Sequence, residues 1–379
     1  MADSLLDCIG NGPLFRLQRL APSWAGELWV KWERSNPGGS IKDRPARHIV
    51  EFAERRGLLR PGGTIVESSS GNFGISLAMI GAARGYRVII LIDPKTTAAN
   101  RKVLSAFGAE TIVVTEQDDS GSYHKTRIAL ANKLAREIPG AFRPDQCFNL
   151  LNSEAHYLGT ANEILQATEG KLDVLVAAVS TGGQLGGLSR YMRDHAPHVR
   201  VVGADAEGSA IFGGTSAPYL TPGVGLGWTP SNLDLDLLHA AFKVPDADIF
   251  AMCRALARFE GVLAGASSGA SLLVALREAL NLTRHTRVVA VLADGGDRYL
   301  DNVYDEEWLA ERGIEALEPS LYDVRLRARG LSPVPDLRGT PAGDVAEELG
   351  VPRSTLACNL ELTNMRTRGQ AVSVDGSTL

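Results

Sequence analysis

One lysine of this chain sits where chemistry could use it. In Asn36-Pro37-Gly38-Gly39-Ser40-Ile41-Lys42-Asp43-Arg44 it follows a glycine-rich turn and opens the helical pattern Pro45 to Phe52. Loss of solvation at such a place penalises the ammonium form and moves lysine toward the neutral amine. A neutral, positioned amine is what Schiff-base chemistry needs, and the same amine can take a proton from a substrate carbon. Taken alone, the segment reads equally well as an ordinary turn with a solvated lysine.

Three further glycine- and serine-rich loops follow. They are Glu67-Ser68-Ser69-Ser70-Gly71-Asn72-Phe73-Gly74, Ser180-Thr181-Gly182-Gly183-Gln184-Leu185-Gly186-Gly187 and Gly265-Ala266-Ser267-Ser268-Gly269-Ala270. The loop at Ser180 follows an apolar run and opens a helix, so its backbone N–H groups form an anion site that the glycines keep open. A nucleotide loop is the competing reading. Gln184 and Leu185 stand where a Walker Gly-Lys pair would be, and no acidic residue is placed for a ribose, so an isolated phosphate fits better. The loop at Ser69 reads as an anion grip or as a plain turn with a helix cap. Ser267 reads as a ligand hydroxyl, as a helix N-cap, or as both.

These loops need a scaffold, and the chain supplies one. The apolar runs Val88–Ile92, Thr111–Val114, Val174–Val179, Arg200–Ala204 and Arg287–Leu292 alternate with helical patterns such as Gly74–Arg84 and Ser268–Leu280. Strands alternating with helices predict α/β architecture, with parallel sheets flanked by helices and ligands at the carboxyl ends of strands. The composition, 44% hydrophobic and 22% charged, is that of a globular enzyme. A net charge of -5 excludes the basic footprint of a nucleic-acid binder. Cys8, Cys147, Cys253 and Cys358 lack metal-ligand spacing, so neither a metal site nor a disulfide framework is expected. Without a signal-like start or a bilayer-length apolar run, no membrane association and a cytoplasmic location are expected.

The four motifs, in this order, resemble the fold type II pyridoxal-phosphate enzymes, specifically the cysteine synthase and cystathionine β-synthase family, over about residues 5 to 310. The resemblance implies a two-lobed, tryptophan synthase β-like fold with pyridoxal 5'-phosphate between the lobes. Residues 1–44 and 151–312 would form the large cofactor-binding lobe. Residues 45–150 would form the smaller, substrate-gripping lobe, and residues 313–379 an extension of open role. Lys42 would carry the cofactor. Ser180, Thr181, Gly182, Gly183 and Gln184 would hold its phosphate, Asn72 its ring hydroxyl and Ser267 its pyridine nitrogen. A hydroxyl there leaves the ring a weaker electron sink than a carboxylate would, which favours β-elimination. Ser69, Ser70, Gly71, Phe73 and Gln146 would grip the substrate carboxylate. Asp294-Gly295-Gly296-Asp297-Arg298-Tyr299 matches a supporting motif near the pyridine. The family also implies a homodimer acting on small-molecule amino acids.

Within the family, Asp205–Gly213, Pro222-Gly223-Val224-Gly225, Ile92-Asp93-Pro94-Lys95, Tyr123–Ile128 and Ala178–Thr181 resemble a subgroup that makes diaminopropionate precursors for siderophores and antibiotics. Its members join the β-carbon of an activated serine to the amino group of glutamate. Ser180 stands where cysteine synthases carry glycine, and Arg127 matches an arginine suited to a phosphoserine or a carboxylate. Two departures leave the leaving group and the nucleophile open. Cys147 replaces the subgroup's tyrosine, which puts it by position among the substrate-side residues although a space-filling thiol is the readier reading, and Leu226-Gly227-Trp228-Thr229 lacks an arginine that some phosphoserine users have. The expected reaction is β-replacement on O-phospho-L-serine or O-acetyl-L-serine through an α-aminoacrylate, with an amine such as L-glutamate as acceptor. Sulfide or thiosulfate, giving cysteine or S-sulfocysteine, is the alternative, and serine/threonine dehydration a further one.

Overall fold

The runs Arg287-Val-Val-Ala-Val-Leu292 and Arg87-Val-Ile-Ile-Leu-Ile92 offer water only one polar side chain each, so they have to be covered on both faces. The computed structural model, which describes residues 2–118, 121–314, 320–339 and 349–367, places each inside a sheet. The strands are β1 (Leu14–Arg16), β2 (Glu27–Trp32), β3 (Thr64–Ser68), β4 (Arg87–Ile92), β5 (Glu110–Val113), β6 (Ala141–Phe142), β7 (Val174–Ala178), β8 (Arg200–Ala206), β9 (Ala240–Val244) and β10 (Arg287–Leu292). A six-stranded sheet has the order β1-β2-β10-β7-β8-β9, and a four-stranded sheet the order β5-β4-β3-β6. Every pairing is parallel except that of β1 with β2. The expected α/β architecture with flanked parallel sheets is what forms.

Nine helices matter for the site: α1 (Asp43–Arg55), α2 (Asn72–Arg84), α3 (Ala98–Ala106), α4 (His124–Glu137), α5 (Leu151–Ala155), α6 (Asn162–Ala167), α7 (Gly183–His195), α8 (Asp246–Glu260) and α9 (Ala266–Leu280). A π-helical stretch, His156–Ala161, joins α5 to α6. Alternate strand residues serve opposite faces. Val288, Ala290 and Leu292 join Leu28, Val174 and Val202 in the core under α8 and α9, while Val289 and Val291 join Leu175, Ala177 and Leu185 on the other face. In the smaller sheet Ile65, Val88 and Ile90 pack with α1 and α2, and Val66, Ile89 and Leu91 with Ala131 of α4. Each such aliphatic side chain, fully buried, contributes roughly 1.5–3 kcal/mol relative to exposure.

Two segments are settled only by the structure. In the run Thr111–Val114, β5 is an exposed edge strand with Ile112 and Val113 at 36% and 43% exposure, and only Val114 beyond it is buried. The polar extension beyond residue 313 is folded wherever it is described. Helix Leu321–Gly330 places Val324 and Ala328 in the core of the larger sheet, and Val334 N donates to Ala241 O at 2.8 Å beside a Phe242–Pro333 bridge. Helix Arg353–Thr367 places Cys358 and Leu362 in the core of the smaller sheet. Both helices also carry exposed apolar side chains, Tyr322 and Leu326 in one and Leu356 and Leu360 in the other, so apolar residues do not mark a single face and the periodic signal is weak. The rest of the extension lies outside the described residues.

Candidate active site

Lys42 caps the start of α1, on the wall of a cavity of about 610 Å³ that both sheets line with the carboxyl ends of their strands. Its turn is sewn to the end of β10: Ile41 N donates to Ala293 O at 2.8 Å, and Ser40 pairs with Asp294. Asp43 Oδ2 accepts from Gly38 N at 2.6 Å and Oδ1 from Ser76 Oγ at 2.6 Å, which fixes the glycine turn against α2. Burial lowers the Lys42 pKa from the ordinary lysine value, offset in part by Cys147 and Asp294. The shift runs toward the neutral amine that the sequence suggested.

The substrate-loop residues Ser69, Ser70, Gly71, Asn72 and Phe73 run from β3 into α2, and all line the cavity. Ser69 Oγ accepts from Gly74 N at 2.9 Å. Gly71 gives α2 no side-chain cap and Ser69 takes only the Gly74 N–H, so the N–H groups of Asn72 and Phe73 are left for an anion. Ser70 Oγ donates to Asp93 Oδ2 and accepts from Arg127 Nη1, both at 2.7 Å. Arg127 is 5% exposed and lies 3.4 Å from Asp93, so part of its charge is already balanced inside the protein. Burial lowers the Arg127 pKa, and Asp93 opposes that shift. Asn72 Nδ2 donates to Asp294 Oδ2 at 2.7 Å, its Oδ1 accepts from Arg298 Nη1, and Tyr299 donates to the same carboxylate at 2.6 Å. The Asp294–Tyr299 motif thus clamps Asn72, in the supporting role expected of it.

Gln146 is on the cavity wall, its Nε2 3.5 Å from Ser68 O. Cys147 is not. Its side chain packs in the core with Ile41, Ile128 and Leu185 at 4% exposure, and burial pushes its thiol up to about 12. Of the two roles open to it, substrate contact and space-filling thiol, it has the second, because neighbouring residues of this loop point opposite ways.

Ser180, Thr181, Gly182, Gly183 and Gln184 carry the chain from β7 into α7 and line the opposite wall. Gly182 has φ +80°, and α7 has no side-chain cap. A Cβ on Gly183 would fall 2.0 Å from Asn152 Oδ1. Ser180 Oγ donates to Gly225 O at 3.3 Å, and Thr181 Oγ1 accepts from Asn152 Nδ2 at 3.0 Å. The buried Gln184 Nε2 has no partner among the described residues. Ser267, in the first turn of α9, is 8% exposed and lines the same cavity. An uncapped glycine cradle, an unpartnered buried amide, a hydroxyl and a desolvated amine around one cavity fit pyridoxal phosphate at each end of the molecule. Among the described residues no cluster of His, Cys, Asp and Glu could hold a metal, and no helix is long and apolar enough to cross a membrane.

Sequence reading missed two residues. Asn152 Nδ2 donates to Gln146 O at 2.8 Å as well as to Thr181, linking the substrate wall to the phosphate wall. Its role rests on proximity in space and leaves no local pattern. His124 lies in the cavity wall, edge-on to Trp228 with ring centroids 6.0 Å apart, and burial lowers its pKa to about 4, so it is neutral at pH 7.

A family model described as pyridoxal-phosphate dependent enzyme matches residues 5–294. N-(2-amino-2-carboxyethyl)-L-glutamate synthase of Ralstonia nicotianae is 41% identical over 329 residues, 85% of this chain and 97% of the relative. The enzyme of that name from Cupriavidus metallidurans is 40% identical over 325 residues, with 85% and 95% covered. Among solved structures, O-ureido-L-serine synthase superposes with a TM-score of 0.76 at 36% identity, covering 82% of this chain and 99% of that one. A hydrogen sulfide-producing enzyme from Fusobacterium nucleatum gives 0.75 at 33%, covering 79% and 100%.

Proposed function

Because the chain belongs to the pyridoxal-phosphate dependent enzyme family, we propose that it replaces the β-substituent of an activated L-serine with an amino-acid amine. The donor is O-phospho-L-serine or O-acetyl-L-serine, the acceptor an amine such as L-glutamate, and the product a 2,3-diaminopropionate precursor. The observation that carries this reading is the 41% identity, over 97% of its length, to a relative named for that product. It is supported by the resemblance of Ile92–Lys95, Tyr123–Ile128 and Ala178–Thr181, all of which line or flank the cavity.

Bound pyridoxal phosphate supplies the electron sink that lets a Cα proton and a β-substituent leave. The protein does the rest. The uncapped start of α7 and Gly182–Gln184 would take the phosphate, and Ser267 and Asn72 would orient the ring. Ser69, Ser70, Gly71 and Gln146 would hold the substrate carboxylate through hydroxyl and N–H donors. Lys42 Nζ, kept toward its neutral form by burial, would carry the proton from Cα. Arg127, tied to Ser70 and Asp93, would orient that loop and meet an anionic group. Residues 1–44 and 151–312 form the cofactor side in this reading, and 45–150 the substrate side. We place the enzyme in the cytoplasm as a homodimer.

Purified enzyme given each serine donor with glutamate, sulfide or thiosulfate in turn, and analysed by mass spectrometry, tests this. The glutamate adduct is expected, with Lys42→Ala abolishing it. Cysteine or S-sulfocysteine as the main product would replace the amine by a sulfur nucleophile, and keto acid formed without an acceptor would identify a dehydratase. Light scattering of the same preparation reads the assembly, where a monomer would overturn the homodimer.

A further inference from the structure

Residues beyond 294 lie outside the family model, yet helix Arg353–Thr367 reaches the back of the cavity wall. Its Asn359 side chain brackets the loop that carries Gln146: Oδ1 accepts from Leu150 N at 2.8 Å and Nδ2 donates to Phe148 O at 2.9 Å. Thr355, 0% exposed, donates from Oγ1 to Asp145 Oδ2 at 3.2 Å. Asp145 is left-handed at φ 57°, a conformation that costs a non-glycine residue energy and so has to be held from outside. What holds it is a buried group behind the substrate loop. Glu67 Oε2 accepts from Asp145 N at 2.6 Å, Glu67 Oε1 accepts from Ser68 N at 2.8 Å, and Arg143 Nη2 donates to Asp145 Oδ1 at 3.2 Å. The helix therefore closes a network whose other end is the strand that delivers Ser68 and Ser69 to the cavity.

We propose that Thr355 and Asn359 are positioning residues for the amino-acid substrate, acting through Asp145–Leu150 to set Gln146 and the Ser68–Ser70 loop. This rests on the functional reading above only for the identity of the substrate. The same segment leads into Asn152, which bonds both Gln146 O and Thr181 Oγ1, but Thr181 is one hydroxyl of the phosphate wall, whose N–H groups come from Gly182–Gln184 at the start of α7. The helix thus acts on the substrate wall and leaves cofactor retention to α7.

Thr355→Val, Thr355→Ser and Asn359→Ala in the full-length, cofactor-loaded enzyme test the idea. Thr355→Val and Asn359→Ala should raise KM for the activated serine about five- to tenfold, one hydrogen bond's worth. The kcat should stay within about twofold and cofactor content should be unchanged. Hydrogen exchange at residues 145–150 should quicken in both, while Thr355→Ser, which keeps the hydroxyl, should match the parent in KM and exchange. Faster exchange with an unchanged KM would make the helix a mere anchor and overturn the proposal, as would unchanged exchange. If the parent turns over no activated serine, the functional reading fails by itself. The proposal is then decided by the dissociation constant of L-serine from equilibrium dialysis, which should weaken by the same factor in Asn359→Ala, and its constancy would refute the role.

Discussion

Gly183→Ala and Asn152→Ala, made singly and together, probe the cradle at the start of α7. A Cβ on Gly183 would lie 2.0 Å from Asn152 Oδ1, 2.3 Å from its Cγ and 2.6 Å from its Nδ2, so a single side chain supplies the three nearest obstacles. Gly183 is not among the left-handed glycines, and alanine meets no backbone penalty there. Inside a helix, glycine to alanine gains roughly 0.5–1 kcal/mol. Overpacking costs about 1–3 kcal/mol. Displacing Asn152 also breaks its bonds to Gln146 O and Thr181 Oγ1, at about 1 kcal/mol each. The single Gly183→Ala change should then lose about 2–4 kcal/mol. With Asn152→Ala already present the obstacle is gone, and the same change should be neutral or stabilising. Urea unfolding of all four cofactor-free proteins gives the coupling, expected above about 1.5 kcal/mol in the direction of rescue. Equilibrium dialysis of pyridoxal phosphate should follow the same pattern. An equal cost of Gly183→Ala in both backgrounds would refute the steric account of the cradle.

Ser267→Ala removes a hydroxyl that has no hydrogen-bond partner among the described residues, so stability should change by less than about 0.5 kcal/mol while cofactor affinity falls. Equal loss of both, in unfolding and dialysis, would make Ser267 a structural cap. The folded-state pKa of Lys42 lies below the ordinary lysine value of 10.5, so the unfolded chain binds more protons between the two values and stability rises with pH through that window. Cofactor-free Lys42→Met should therefore be more stable than the parent at neutral pH, with the gap closing toward pH 10.5, and parallel pH profiles would count against a desolvated amine. Glu67 behaves oppositely. Burial raises it from 4.5 to about 7, so the folded state holds the extra proton and its contribution to stability falls as pH rises across that interval. Glu67→Gln should flatten the fall, and a stability curve of unchanged slope would contradict it.

The parts of the site that a sequence can announce are those built from local geometry. Lys42 stands after a glycine turn, and Ser180–Gly183 joins an apolar strand to a helix, so each motif declares its own conformation and lies where a parallel sheet gathers ligands. Asn152 could not be read this way, because what makes it matter is the absence of a side chain at Gly183, far along the chain. Gln146 and Cys147 both stand at positions that the resemblance puts on the substrate side. Only the structure tells which of two adjacent side chains faces the cavity, since their loop has neither helical nor strand periodicity. The edge strand at Glu110 is β-branched like the buried ones, and propensity alone does not distinguish edge from centre.

Asp145 meets Thr355 across 210 residues of chain, and Leu150 meets Asn359 across 209. During synthesis, Lys42, Asn72, Gln146, Ser180–Gln184, Ser267 and Asp294 all emerge before either partner exists. A chain interrupted before residue 353 therefore carries every motif of the cavity but leaves the Leu150 N–H without its acceptor and the left-handed Asp145 without one of its restraints. Closing so long a loop adds little entropy beyond a shorter one, since the cost grows only with the logarithm of length. The late helix thus makes the geometry of the substrate wall depend on how far translation has proceeded, and a truncated or clipped product would differ from the finished enzyme at the point where it grips its amino acid.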